Sequence, residues 1–204
     1  MPRNRAEDRL RRRRGTRRER LRVLIVTEGA VTEPEYFRGL ARTLRATGID
    51  VRALAIFGPG LDPARVVQEA AERAGLVASS RRASDYEAVW CVVDVDRHAT
   101  LDAAVLEAKR LGVQVAVSNP SFELWLLWHY QELTRFITVD ELARAFKACG
   151  SDSKHVPADF PYENYRDAVV RAHCSSSGCA LGTVPTNPGS AVCELVLLIE
   201  SGAA

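Results

Sequence analysis

No apolar run in these 204 residues approaches the roughly 20 residues that a bilayer-crossing helix needs, so no membrane contact is expected. A secretory signal would continue its basic start with a long apolar stretch. Here arginines continue instead, and the expectation is a cytoplasmic protein. Paired cysteine spacings are missing as well. The five cysteines (Cys91, Cys149, Cys174, Cys179, Cys193) contain no CxxC, which excludes a standard zinc ribbon, and an odd set without a framework predicts free thiols. His173, Cys174 and Cys179 stand close together but lack a second ligand pair, so they read as ordinary loop residues. There is no internal repeat, and the chain is short for two cores. One domain with appendages is expected.

Hydrophobic residues at 47% and charged residues at 26% describe an ordinary globular protein. The net charge of +2 conceals an asymmetry: residues 1–22 hold eleven arginines against Glu7, Asp8 and Glu19, or +8, leaving 17 basic and 23 acidic residues, or −6, in the rest. A run such as Arg11, Arg12, Arg13 and Arg14 cannot bury itself. It suits an arm that neutralises phosphates without reading sequence, with Arg12 and Arg13 at its centre, and equally a solvated terminus.

Beyond that tail, Leu21 to Val26 is a β-rich apolar run that stops at Thr27-Glu28-Gly29, the pattern of a strand buried on both faces. Thr32-Glu33-Pro34-Glu35 then predicts a helix start, with Thr32 as the cap and the acids complementing the helix N-terminus. A second strand is expected over Val51–Phe57 and a helix from Asp62-Pro63 to about residue 77. A third strand, Ala88–Val93, runs into Asp94-Val95-Asp96-Arg97-His98, followed by a helix over Leu101–Leu111 that Gly112 ends. The fourth strand, Val113–Val117, runs into Ser118-Asn119-Pro120-Ser121. The next stretch, Phe122–Trp128, is apolar nearly all round and predicts a buried helix, with Trp125 and Trp128 in the core. From residue 131 the pattern is helical only, over about 138–148, 162–173 and 189–201. The reading is an α/β fold: a mobile tail over 1–20, a mainly parallel, four-stranded, Rossmann-like core over 21–132, and a helical extension over 133–204 packed on it.

Ligands of open parallel sheets sit outside the carboxyl ends of the strands, where strand order reverses. Glu28 ends the first strand, and Asp94 and Asp96 end the third. Two positions apart on a strand, Asp94 and Asp96 share a side. Clustered carboxylates repel unless a cation joins them, and oxygen-only donors favour Mg²⁺ or Mn²⁺. Acids at strand ends are also common turn residues, so a DxD alone is a weak signal. Glu123, opening the helix after the fourth strand, is a further candidate carboxylate or a plain helix N-terminal acid. Asn119, His98 and Lys154 are candidate substrate contacts, each equally at home as a polar loop residue.

Val26-Thr27-Glu28-Gly29 with Thr32-Glu33-Pro34-Glu35-Tyr36-Phe37 is the first block of a longer pattern. Trp90 to His98, Ser118 to Leu127 and Asn187-Pro188-Gly189-Ser190 follow in order. Together they resemble the RloB-like family, and the Glu and DxD positions look like those of Toprim domains. The resemblance implies a Toprim-like fold and metal-dependent phosphodiester chemistry, with Glu28 as general acid/base and Asp94 and Asp96 as metal ligands. It implies an ATPase encoded alongside and a place in restriction or phage defence. It leaves open DNA or RNA, tRNA included, as substrate, and the oligomeric state.

Two other classes compete with a nuclease. One is a non-catalytic nucleic-acid-binding or assembly subunit that uses the arginine-rich tail. The other is a phosphatase of the haloacid-dehalogenase type, which ranks last because its nucleophilic Asp ends the first strand, where this chain has Glu28.

Overall fold

The computed structural model describes residues 22–77, 84–95, 100–151, 155–175 and 179–201. Arg12, Arg13, Asp96, His98 and Lys154 lie outside the described residues.

The first strand, β1 (Arg22–Thr27), is followed by α1 (Thr32–Ala46), β2 (Ala53–Phe57) and α2 (Pro63–Arg73). The next pair of repeats is β3 (Ala88–Asp94), α3 (Leu101–Leu111) and β4 (Gln114–Asn119). A short α4 (Glu123–Leu127) leads to α5 (Val139–Ala148) and α6 (Tyr165–Cys174), then β5 (Gly189–Ser190) and α7 (Val192–Glu200). The sheet order is β2-β1-β3-β4-β5. Its first four strands are parallel and β5 is antiparallel to β4.

Alternation along the central strands explains the two layers. Val23 and Ile25 of β1 face a core shared with Tyr36, Phe37 and Leu40 of α1 and with α4 and α7. Leu24 and Val26 face the opposite core, filled by Val66, Val67 and Ala70 of α2 and Ala104 and Ala108 of α3. A strand buried on both faces has no polar position to spare, which is why β1 is an unbroken apolar run. Trp125 and Trp128 are fully buried, as the apolar periphery of α4 predicts.

Local signals account for most of the boundaries. Asp62 caps α2, its carboxylate accepting from the Ala64 and Arg65 amides at 3.2 Å. Gly112 ends α3 with a left-handed φ of 73°, a conformation open to glycine at little cost. Three expectations need correction. Thr32 is not the cap of α1: Val31 holds that position, and Thr32 lies one residue inside the helix. The sheet has five strands rather than four, because Gly189-Ser190 adds to β4 before α7 begins. Two residues of small side chain carry no legible strand pattern. Finally, Cys179 and Cys193 are joined in a disulfide, while Cys91, Cys149 and Cys174 are free. The pairing depends on α7 returning beside the loop after α6, which spacing alone does not reveal.

Candidate functional site

The order β2-β1-β3-β4 places the reversal of connection direction between β1 and β3. From β1 the chain steps outward to β2, and from β3 it steps the other way to β4, so the helices that follow the two strands diverge and leave a crevice at their carboxyl ends. Glu28 and Asp94 sit on its two sides. The Glu28 amide donates to the Val92 carbonyl at 2.9 Å, continuing the ladder, and the Asp94 amide donates to Glu28 Oε2 at 3.2 Å.

Two further carboxylates reach the same place. Glu123 opens α4, where the Ser121 hydroxyl donates to its Oε2 at 2.6 Å. Glu33, in the first turn of α1, is buried and turns back to accept from the Gly29 amide at 2.8 Å. Glycine at position 29 is a steric requirement, because a Cβ there would stand 2.1 Å from a Glu33 carboxylate oxygen. The sequence reading took Glu33 as a helix N-terminal acid. Its partnership with the glycine that follows Glu28 was the available signal.

Asp94 is the most constrained member. Its Oδ1 is buried and has no hydrogen-bond partner among the described residues. Burial first, and then the charges of Glu33, Glu123 and Glu28, raise its carboxyl well above the usual range; a backbone bond from Phe122 works in the opposite direction. Glu33 is raised too, first by burial and then by Glu123 and Glu28, against the bonds from its own amide and that of Gly29. A buried acceptor with no donor costs on the order of 1–3 kcal/mol, and more when charged. Carboxylate oxygens crowded in this way suit a hard cation. Mg²⁺ commonly takes one or two protein carboxylates and fills its sphere with water and phosphate oxygens, so an open arrangement fits it.

Beside the acids lies a cavity of about 330 Å³ whose lining includes Thr32, Ser121, Glu123, Val139, Phe146 and Lys147. Lys147 places a cation on the far wall from the carboxylates and was not singled out by the sequence. Asn119, at the end of β4, donates from Nδ2 to the Pro185 carbonyl at 2.8 Å. It ties the loop before β5 to the crevice. His155, next to the Lys154 candidate, bonds through Nδ1 to Glu35 Oε1 at 2.7 Å.

Residues 23–199 match a family model described as RloB-like protein. No curated protein and no solved structure gives a significant match.

Proposed function

The chain belongs to the RloB-like family, its match running over residues 23–199 of 204, and on that basis we propose that it hydrolyses phosphodiester bonds of DNA or RNA with the help of Mg²⁺ or Mn²⁺. One observation carries the reading: the partnerless buried oxygen of Asp94, surrounded by three other carboxylates at the reversal point of the sheet. A crevice so negative is unsuited to polyphosphate substrates until a cation changes its sign.

Glu28 and Asp94 would hold the ion together with Asp96, while Glu123 would orient a coordinated water. When bound, the ion supplies Lewis acidity at a phosphate oxygen and acidifies a water. Glu28, positioned by the Asp94 amide, takes the proton of the attacking water and returns one to the departing oxygen. The water oxygen bonds to phosphorus as the P–O ester bond breaks. Lys147 meets a non-bridging phosphate oxygen of the strand lying in the adjacent cavity. The arginine-rich segment, with Arg12 and Arg13, adds phosphate contacts along the polymer. His98 and Lys154 complete the proposed substrate contacts.

The family resemblance extends the proposal to a Toprim-type nuclease of a phage-defence or restriction-associated system, controlled by an ATPase and acting in the cytoplasm. The competing subunit reading rests on the tail alone. A panel of tRNA, single-stranded DNA and double-stranded DNA incubated with the purified chain and Mn²⁺, alone and with its neighbouring ATPase, separates the two. Cleavage that disappears in Asp94→Asn supports the nuclease. Binding without cleavage in every combination, unchanged by Asp94→Asn and lost on removal of residues 1–20, supports the subunit.

A further inference from the structure

Away from the crevice, the end of α6, the start of α7 and the loop between α6 and β5 meet. There the ligand atoms of His173, Cys179 and Cys193 all lie within 4.8 Å of one another, the one such grouping of three His, Cys or acidic side chains among the described residues.

The hydrogen bonding of His173 is informative. Its Nδ1 is 2.9 Å from the Val169 carbonyl oxygen, an atom that only accepts, so Nδ1 carries the proton and Nε2 is the bare nitrogen. Nε2 faces the Glu194 carboxylate at 3.5 Å. Two acceptors so placed repel unless a cation lies between them. A backbone carbonyl that fixes the tautomer and leaves the other nitrogen bare is the usual support of a metal-binding histidine. A proton on Nε2 would satisfy Glu194 alone and gives no reason for two sulfurs in the same small volume. Ligands at about 2.0–2.3 Å around a tetrahedral ion stand about 3.3–3.8 Å apart. The His173–Glu194 separation already has that value, and Cys179 Sγ lies 3.6 Å from the His173 ring.

We propose that in the reduced protein His173, Cys179, Cys193 and Glu194 bind one Zn²⁺ ion in a closed structural site, which replaces the Cys179–Cys193 disulfide. Reduction by a dithiol transfers two electrons and two protons to the S–S bond, giving two thiols as the dithiol becomes its own disulfide. Zn²⁺ then displaces the two thiol protons. Either state ties the loop before β5 to α7. That loop matters to the fold: its Gly182 amide donates to Val115 of β4 at 3.2 Å, its Pro185 carbonyl holds Asn119, and Asn187 bonds to the Ile137 amide and carbonyl at 3.0 and 2.8 Å. The set differs in chemistry from the all-oxygen crevice and does not depend on the nuclease reading.

The test uses the full chain reduced with a dithiol, freed of reductant under argon, and loaded with Zn²⁺ or with Co²⁺ as its spectroscopic stand-in. The expected result is one zinc per chain and, with Co²⁺, thiolate-to-cobalt charge-transfer absorption with tetrahedral d–d bands. That absorption persists in Asp94→Asn and is lost in Cys179→Ser, a half-exposed loop position where folding is secure. His173→Gln, at the exposed end of α6, weakens zinc affinity by more than about tenfold. The proposal is overturned by reduced protein that takes up no zinc, by Cys179→Ser retaining the charge-transfer band, or by a disulfide that survives the dithiol.

Discussion

The amide of Asp94 donates to the carboxylate of Glu28 across 3.2 Å, binding the carboxyl end of β3 to that of β1 at the point where the sheet changes direction. Through this bond the backbone of one acid orients the side chain of the other, while the Asp94 side chain itself is left with an unsatisfied oxygen. The site is thus organised by the main chain and strained by its charges, and the first prediction follows from that division.

Asp94→Asn keeps the backbone donor and removes one charge. Because the Asp94 carboxyl is raised in the folded protein, its stabilising contribution is present below the unfolded Asp value of about 4 and is lost as pH rises. At neutral pH in a chelator, the Asn variant is therefore expected to melt higher than the parent. A gain of about 1 kcal/mol corresponds to about 2–4 °C for a chain of this size. The advantage should shrink towards pH 4 in a thermal-melt series, and an Asn variant that melts lower at pH 7 contradicts the strain argument.

Gly29→Ala is expected to destabilise by about 1–3 kcal/mol, because the new Cβ must displace the Glu33 carboxylate 2.1 Å away. The two positions are coupled. Denaturant titrations of Gly29→Ala, Glu33→Ala and the double variant should show that the alanine at 29 costs far less once Glu33 is shortened. Strict additivity would mean that the contact is not the cause.

His129 is fully buried among Tyr36, Trp125 and Phe160, and burial lowers its pKa to about 3. Its Nδ1 meets the Trp125 carbonyl at 3.1 Å and its Nε2 meets the Tyr36 hydroxyl at 3.3 Å, so the neutral ring is held by one donor and one acceptor. The unfolded chain protonates this residue near pH 6.5 and the folded chain does not, so stability is lost as pH falls below 6.5. The stability difference between the parent and His129→Gln isolates this effect from other titrations. It is expected to shrink by about 2 kcal/mol between pH 7 and pH 5 in urea titrations.

Lys147→Ala is expected to raise KM for a cleaved polynucleotide several-fold with little change in kcat, since the lysine meets the strand at the cavity beside the acids. A fall in kcat at unchanged KM would place the lysine at the reacting phosphate instead.

The central sheet was legible because strands buried on two faces leave continuous apolar runs, and the acids at their ends followed from where such sheets place ligands. Glu28, Asp94 and Glu123 meet around one crevice as that rule implies. Glu33 was hidden by an adequate local explanation, since an acid in a first helical turn needs no other. Lys147 was hidden for another reason: it comes from α5, and nothing in the pattern says which face of the crevice that helix borders. The Cys179–Cys193 link and the Gly189-Ser190 strand share one cause, the return of the chain end to the sheet, which local sequence does not encode.

The central claim is that the carboxylates around Asp94 bind a hard divalent cation. Mn²⁺ binding to the full chain, followed by the loss of the free-ion electron paramagnetic resonance signal, tests it without requiring substrate or partner. The account predicts Mn²⁺ uptake that Mg²⁺ displaces and that Asp94→Asn and Glu28→Gln each abolish. Uptake unchanged in both variants, or none in the parent, would contradict it.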